Sequence, residues 1–221
     1  MATNRIATDE RIDPRIRALF GIMNFPTGIP DVANRQQLLD EAAHPDAVQR
    51  YMQMKELLKA MDSEEVAPSS GLTITNHQVV SQPDGNSINV QVMQPKGATN
   101  MPCVYYIHGG GMQSSSCYDG NYQAWGRMIA NQGAVVVMVD FRNSIVPSSV
   151  PEVAPFPAGL NDCVSGLKWT IEHAKEFGID ASRVIVAGES GGGNLTLATG
   201  LKLKRDGDLG LISGLYALCP Y

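Results

Sequence analysis

Four short apolar runs constrain this chain more than any other feature. CVYYIH (103–108), AVVVMVDF (134–141), RVIVAG (183–188) and ISGLYALC (212–219) lack polar–apolar alternation. A strand written this way has no face for water, which suits a parallel sheet covered on both sides. Helical spacing occupies the intervals, over 122–132, 158–177 and 192–205. Strand and helix repeated in this order predict an α/β fold with a doubly wound, mostly parallel sheet. Ahead of it, TITNHQVVSQ and SINVQVMQ flank Pro83-Asp84-Gly85-Asn86, which predicts an antiparallel hairpin at one edge.

The first 66 residues read differently. Ile12, Ile16, Leu19 and Phe20 recur at helical spacing, as do Leu38, Leu39, Val48, Met52, Leu57 and Leu58, with His44-Pro45 as an interruption. NFPTGIPD (24–31) is a turn-rich loop, and SEEVAPSSG (63–71) separates the helical part from the sheet. The expected organisation is a helical region over 1–66 and an α/β domain over 67–221.

Chemistry concentrates at two glycine-rich stretches. GESGG (188–192) puts Ser190 between a strand and a helix. A serine in G-x-S-x-G at such a turn stands at the carboxyl end of the sheet, beside the positive end of a helix. The same stretch does not match a nucleotide-binding pattern. G-x-G-x-x-G has serine at its second glycine, and no Gly-Lys-Ser/Thr follows for a P-loop. HGGG (108–111) directly follows the strand 103–107, so it emerges at the same end of the sheet. Its bare amides, with that of Gly191, could stabilise a developing oxyanion, each donor contributing about 10²–10³ in rate. His108 precedes the serine and reads as a brace for the loop. Asp140, Arg142 and Asp162 read as structural pairing.

Composition narrows the partners. A net charge of −5 without a dense basic patch argues against nucleic acid or an anionic membrane. KLKR (202–205) falls where a helix ends and complements its dipole. The longest aliphatic run, 134–139, is far too short for a bilayer span, and the N-terminus lacks a secretory apolar region. Cys103, Cys117, Cys163 and Cys219 show neither zinc nor disulfide spacing. Three have apolar surroundings and read as reduced core thiols, so a cytoplasmic location is expected.

HGGG, VDFRNSIVPSSVPEVAPFPAGLNDC, GESGGGN and LCPY together resemble the hormone-sensitive-lipase-like (family IV) carboxylesterases from about residue 71 onward. The resemblance implies an α/β-hydrolase fold with an N-terminal helical cap, a Ser–Asp/Glu–His triad, no cofactor or metal, and hydrolysis of short to medium acyl esters. It assigns Ser190 as nucleophile and Gly110, Gly111 and Gly191 as oxyanion-hole donors. Met112, Phe25 and Tyr51 become candidate substrate-lining residues, with cap packing as the plainer role of the last two. The implied partner is a small-molecule ester. A homodimer through sheet edges is an option that the family offers. Glu189 and Gly191 stand where the family usually has Asp and Ala.

The chain's four histidines (His44, His77, His108, His173) all precede Ser190, whereas an α/β-hydrolase base follows its nucleophile. Asp206 and Asp208 fall at the far end of the next helix. An apolar strand at 212–219 would also stand as an unpaired edge. The native protein is therefore expected to continue beyond Tyr221 and to carry the triad acid and histidine there, leaving these 221 residues alone nearly inactive. The alternative is a ligand-binding protein on an esterase scaffold, without a base.

Overall fold

The computed structural model describes residues 5–22 and 31–220. The chain divides into two compact units, Met1–Leu38 and Leu39–Tyr221. In the first, α1 (Arg5–Thr8) precedes α2 (Pro14–Phe20). Asp13 caps α2 by accepting the Arg15 N–H at 2.8 Å, with Pro14 at the first helical position. A third helix, α3 (Arg35–Ala43), crosses the boundary between the units.

The second unit opens with α4 (Pro45–Lys59), whose cap His44 accepts the Asp46 N–H through Nδ1. Then follow β1 (Leu72–Val80), β2 (Ser87–Pro95), β3 (Met101–Ile107), α5 (Gly120–Ala130), β4 (Val135–Asp140), α6 (Ala158–Glu172), β5 (Ile179–Glu189), α7 (Gly191–Asp206) and β6 (Gly214–Leu218). The six strands form one sheet in the order β1-β2-β4-β3-β5-β6. β1–β2 and β2–β4 pair antiparallel, and the rest are parallel. The α/β architecture with an antiparallel hairpin at one edge is therefore as expected.

Each central strand is buried on both faces because each face has its own helices. Val90, Tyr105, Val137 and Val186 belong to a core with Cys163 and Leu167 of α6 and Leu195 and Leu203 of α7. Met93, Tyr106, Val136 and Met138 belong to a second core with Tyr122 and Ala130 of α5. Val135–Asp140 is buried at every position, which is what its unbroken apolar run demands. α7 ends on Lys204, Arg205 and a left-handed Gly207, so the basic run does sit at the negative end of a helix.

The division between the compact units falls at 38/39, inside the helical region expected over 1–66. Polar links tie α4 to the sheet-bearing part of its own unit. Lys55 pairs with the buried Asp119 at 2.9 Å, the Tyr51 hydroxyl accepts the Ser115 N–H at 3.3 Å, and Asp62 just beyond α4 pairs with Arg127. SEEVAPSSG is a loop within the second unit.

Two buried charges hold the loops above the sheet. The Arg142 guanidinium donates to Asp162 at 2.9 and 3.0 Å, to Asp84 at 2.6 Å and to Glu152 at 3.1 Å. It thereby joins the β1–β2 turn to α6 and to the segment after β4. Asp140 accepts from Ser116 Oγ at 2.7 Å, Cys117 N–H at 2.9 Å and Ser149 N–H at 2.7 Å. Cys103, Cys117 and Cys163 are buried, and Cys219 is exposed. Burial pushes the Cys103 thiol up to about 12. Among the described residues, no helix is long and apolar enough to cross a membrane.

Candidate active site

β3 and β5 run side by side, with Ile107 opposite Gly188, so the segments after them leave the sheet together. One becomes the glycine loop and the other the turn at Ser190. β5 ends at Glu189 and α7 begins at Gly191, leaving a single residue to reverse the chain. Ser190 makes that turn at φ 53°, ψ −121°. This conformation costs a non-glycine residue about 1–3 kcal/mol and persists only where neighbours over-determine it. Here the Ser190 N–H donates to Leu218 O of β6 at 2.9 Å, and its C=O accepts the Asn194 N–H at 3.0 Å. The side chain is half-exposed at the positive end of a sixteen-residue helix.

The glycine loop comes within contact of this turn. A Cβ built on Gly191 would lie 2.7 Å from the amide nitrogens of both Gly111 and Met112. In this chain the loop sits too close to Gly191 to leave room for a Cβ. Gly110 stands one step back at φ 98°, and its carbonyl closes the loop by accepting from Gln113 and Ser114 N–H at 3.0 and 3.1 Å. The first glycine differs from the other two, because the Gly109 N–H is consumed by the Tyr122 hydroxyl at 2.9 Å.

His108 is fully buried and stacks on Phe141 with centroids 4.3 Å apart. Its Nδ1 bonds the Gly109 carbonyl at 2.8 Å, which requires the proton on that nitrogen. Burial holds its pKa below the ordinary histidine value. It braces the loop and has no exposed surface to offer a ligand.

The expected lining residues separate. Met112 adopts φ 61°, gives its carbonyl to Ser144, and lines a cavity of about 260 Å³ with Gly111, Phe141, Phe156, Leu160 and Leu195. Tyr51 lines a different cavity of about 360 Å³ with Val48, Ile145, Val146 and Pro147. Its phenol, tied to Ser115, has its pKa raised chiefly by burial. Phe25 lies outside the described residues. Two residues to which the sequence assigns no role in this site, Tyr122 and Glu189, meet at the root of the glycine loop. The Tyr122 hydroxyl donates to Glu189 Oε1 at 2.5 Å, and burial and this bond push the phenol pKa well up. Among the described residues, no group of three or more His, Cys, Asp or Glu side chains is disposed to hold a metal.

A mixed sheet with a strained serine at the β5–α7 turn, facing a glycine loop after β3, defines the α/β-hydrolase class. A family model described as alpha/beta hydrolase fold matches residues 104–221, and the chain belongs to that family. The solved esterase Est22 is 58% identical and superposes with a TM-score of 0.94, covering 99% of this chain and 63% of its own. Brefeldin A esterase, a bacterial homologue of human hormone-sensitive lipase, is 31% identical with a TM-score of 0.76, over 99% of this chain and 59% of its own. Carboxylesterase NlhH of Mycobacterium tuberculosis is 39% identical over 107 residues, which is 48% of this chain and 31% of that protein. The chain thus spans under two thirds of the length of these relatives.

Proposed function

We propose that the protein is a serine carboxylesterase acting on short to medium acyl esters, with Ser190 as its nucleophile. Ser190 Oγ attacks the ester carbonyl as a base removes its proton, and the carbonyl oxygen becomes an oxyanion. Amides of Gly110, Gly111 and Gly191 receive that charge. Collapse expels the alcohol and leaves an acyl-serine, which water hydrolyses by the reverse sequence. The reading assigns nucleophile and oxyanion donors to these 221 residues. It leaves the base and its acid to the part of the relatives' length that this chain does not span.

One observation carries the reading: the strained Ser190 turn and the amide edge of the glycine loop meet at Gly191 at contact distance. Similarity supports it as well, since a 58% identical relative, esterase Est22, is solved with p-nitrophenol, the leaving group of p-nitrophenyl esters. Met112 belongs to the proposed acyl-side lining, whereas Tyr51 is better placed to support the loop through Ser115.

The test is turnover of p-nitrophenyl butyrate by the protein at its natural length, compared with Ser190→Ala. Loss of a serine nucleophile costs roughly 10⁶ in kcat in a well-studied serine hydrolase, and a fall of at least about 10⁴ is expected here. Equal rates for the two proteins would remove Ser190 from the chemistry. Substrate binding without turnover by either would favour the ligand-binding alternative.

A further inference from the structure

We propose that Tyr122 is a positioning residue that sets the separation between the glycine loop and the Ser190 turn. The inference rests on the esterase reading above and adds a residue to it. Tyr122 belongs to neither loop: it sits in the first turn of α5, with its ring buried against the sheet. Its hydroxyl accepts the Gly109 N–H at 2.9 Å and donates to Glu189 Oε1 at 2.5 Å. The direction of both bonds is forced. A backbone N–H can only donate, so the phenol oxygen accepts at Gly109 and its one proton is left for Glu189.

The two partners are the residues that matter for spacing. Gly109 is the root of the loop that carries the Gly110 and Gly111 amides, and Glu189 directly precedes Ser190. Beyond the last paired residues, Ile107 and Gly188, no ladder bond holds the two segments together. The phenol supplies the next link. Glu189 lies so close over the loop root that a Cβ on Gly109 would stand 2.1 Å from Oε1. Tyr122 therefore fixes where the loop starts, while leaving the next two amides unspent.

The experiment measures kcat, KM and the Ki of a trifluoromethyl ketone, which mimics the tetrahedral adduct, for Tyr122→Phe, Glu189→Ala, Glu189→Gln and the double variant Tyr122→Phe/Glu189→Ala. The phenylalanine keeps the ring packing and removes both bonds. Misplacement near 1 Å can cost about 10²-fold. The expected result is a 10- to 100-fold lower kcat with KM within about threefold, and a Ki raised in proportion to the loss in kcat/KM. Glu189→Ala should match it, and the double variant should be no worse than the more damaged single one. Glu189→Gln offers an amide oxygen to the same hydroxyl and should recover most of the rate. Should Tyr122→Phe fail to fold, the Gln/Ala pair at 189 carries the comparison. A Tyr122→Phe kcat within threefold of the parent, or a loss with unchanged Ki, overturns the proposal. Ser190→Ala run alongside separates the failures: if it retains turnover, the nucleophile assignment fails instead.

Discussion

Replacing Gly191 by alanine tests how tightly the two loops are fitted. The added Cβ would stand 2.7 Å from the Gly111 and Met112 nitrogens and 2.9 Å from Gly111 Cα. Ordinary contact begins near 3.4 Å, so the loop must retreat by about 0.7 Å. All three obstructing atoms are backbone or Cα, and no side chain can swing aside instead. Oxyanion donors work at 2.7–3.1 Å, and the shift would carry the Gly111 amide to about 3.4–3.8 Å. A donor lost outright costs about 10²–10³ in kcat, so weakening one predicts a fall of about 10- to 10³-fold, or about 1.4–4 kcal/mol of transition-state stabilisation. KM should stay within about threefold. Stability should change little, because alanine in the first turn of α7 offsets strain with up to about 1 kcal/mol of helix propensity. Saturation kinetics with p-nitrophenyl butyrate and a thermal melt measure both. A Gly191→Ala kcat within threefold of the parent would refute the close fit.

Other consequences concern the frame. Arg142→Met strands the fully buried Asp162 without its cation, and urea unfolding should show a loss of about 3–5 kcal/mol; a loss under about 1 kcal/mol would contradict the hub described here. At pH 8 in the native state, a disulfide reagent should modify Cys219 rapidly, and Cys103, Cys117 and Cys163 only after unfolding. Burial raises the Cys103 thiol from 9.0 to about 12, so between those values the native state holds a proton that the unfolded chain has released. Stability should therefore fall as pH rises above about 9, which melts across pH 8–11 would show.

Much of the fold is legible because its signals are local. The apolar runs at 103–108 and 134–141 become β3 and β4 with ends shifted by at most two residues. Pro83-Asp84-Gly85-Asn86 is the hairpin turn, with Val80 opposite Ser87 across it. HGGG and GESGG announce their turns because glycine placement is itself the message. Tyr122 is not legible. GNYQAW reads as ordinary helix, and the hydroxyl matters only because it spans residues 109 and 189, eighty positions apart. Arg142 likewise joins partners at 84, 152 and 162 that no spacing rule connects. The Lys55–Asp119 pair that ties α4 to the sheet side leaves no trace in composition either.

The most direct measurement is a crystal structure of the protein, at its natural length, inhibited by a p-nitrophenyl alkylphosphonate. Phosphorus bonded to Ser190 Oγ, with the phosphoryl oxygen about 2.7–3.1 Å from the Gly111 and Gly191 nitrogens, is the predicted result. Phosphorus bonded to another residue, or a phosphoryl oxygen turned away from the glycine loop, would contradict it.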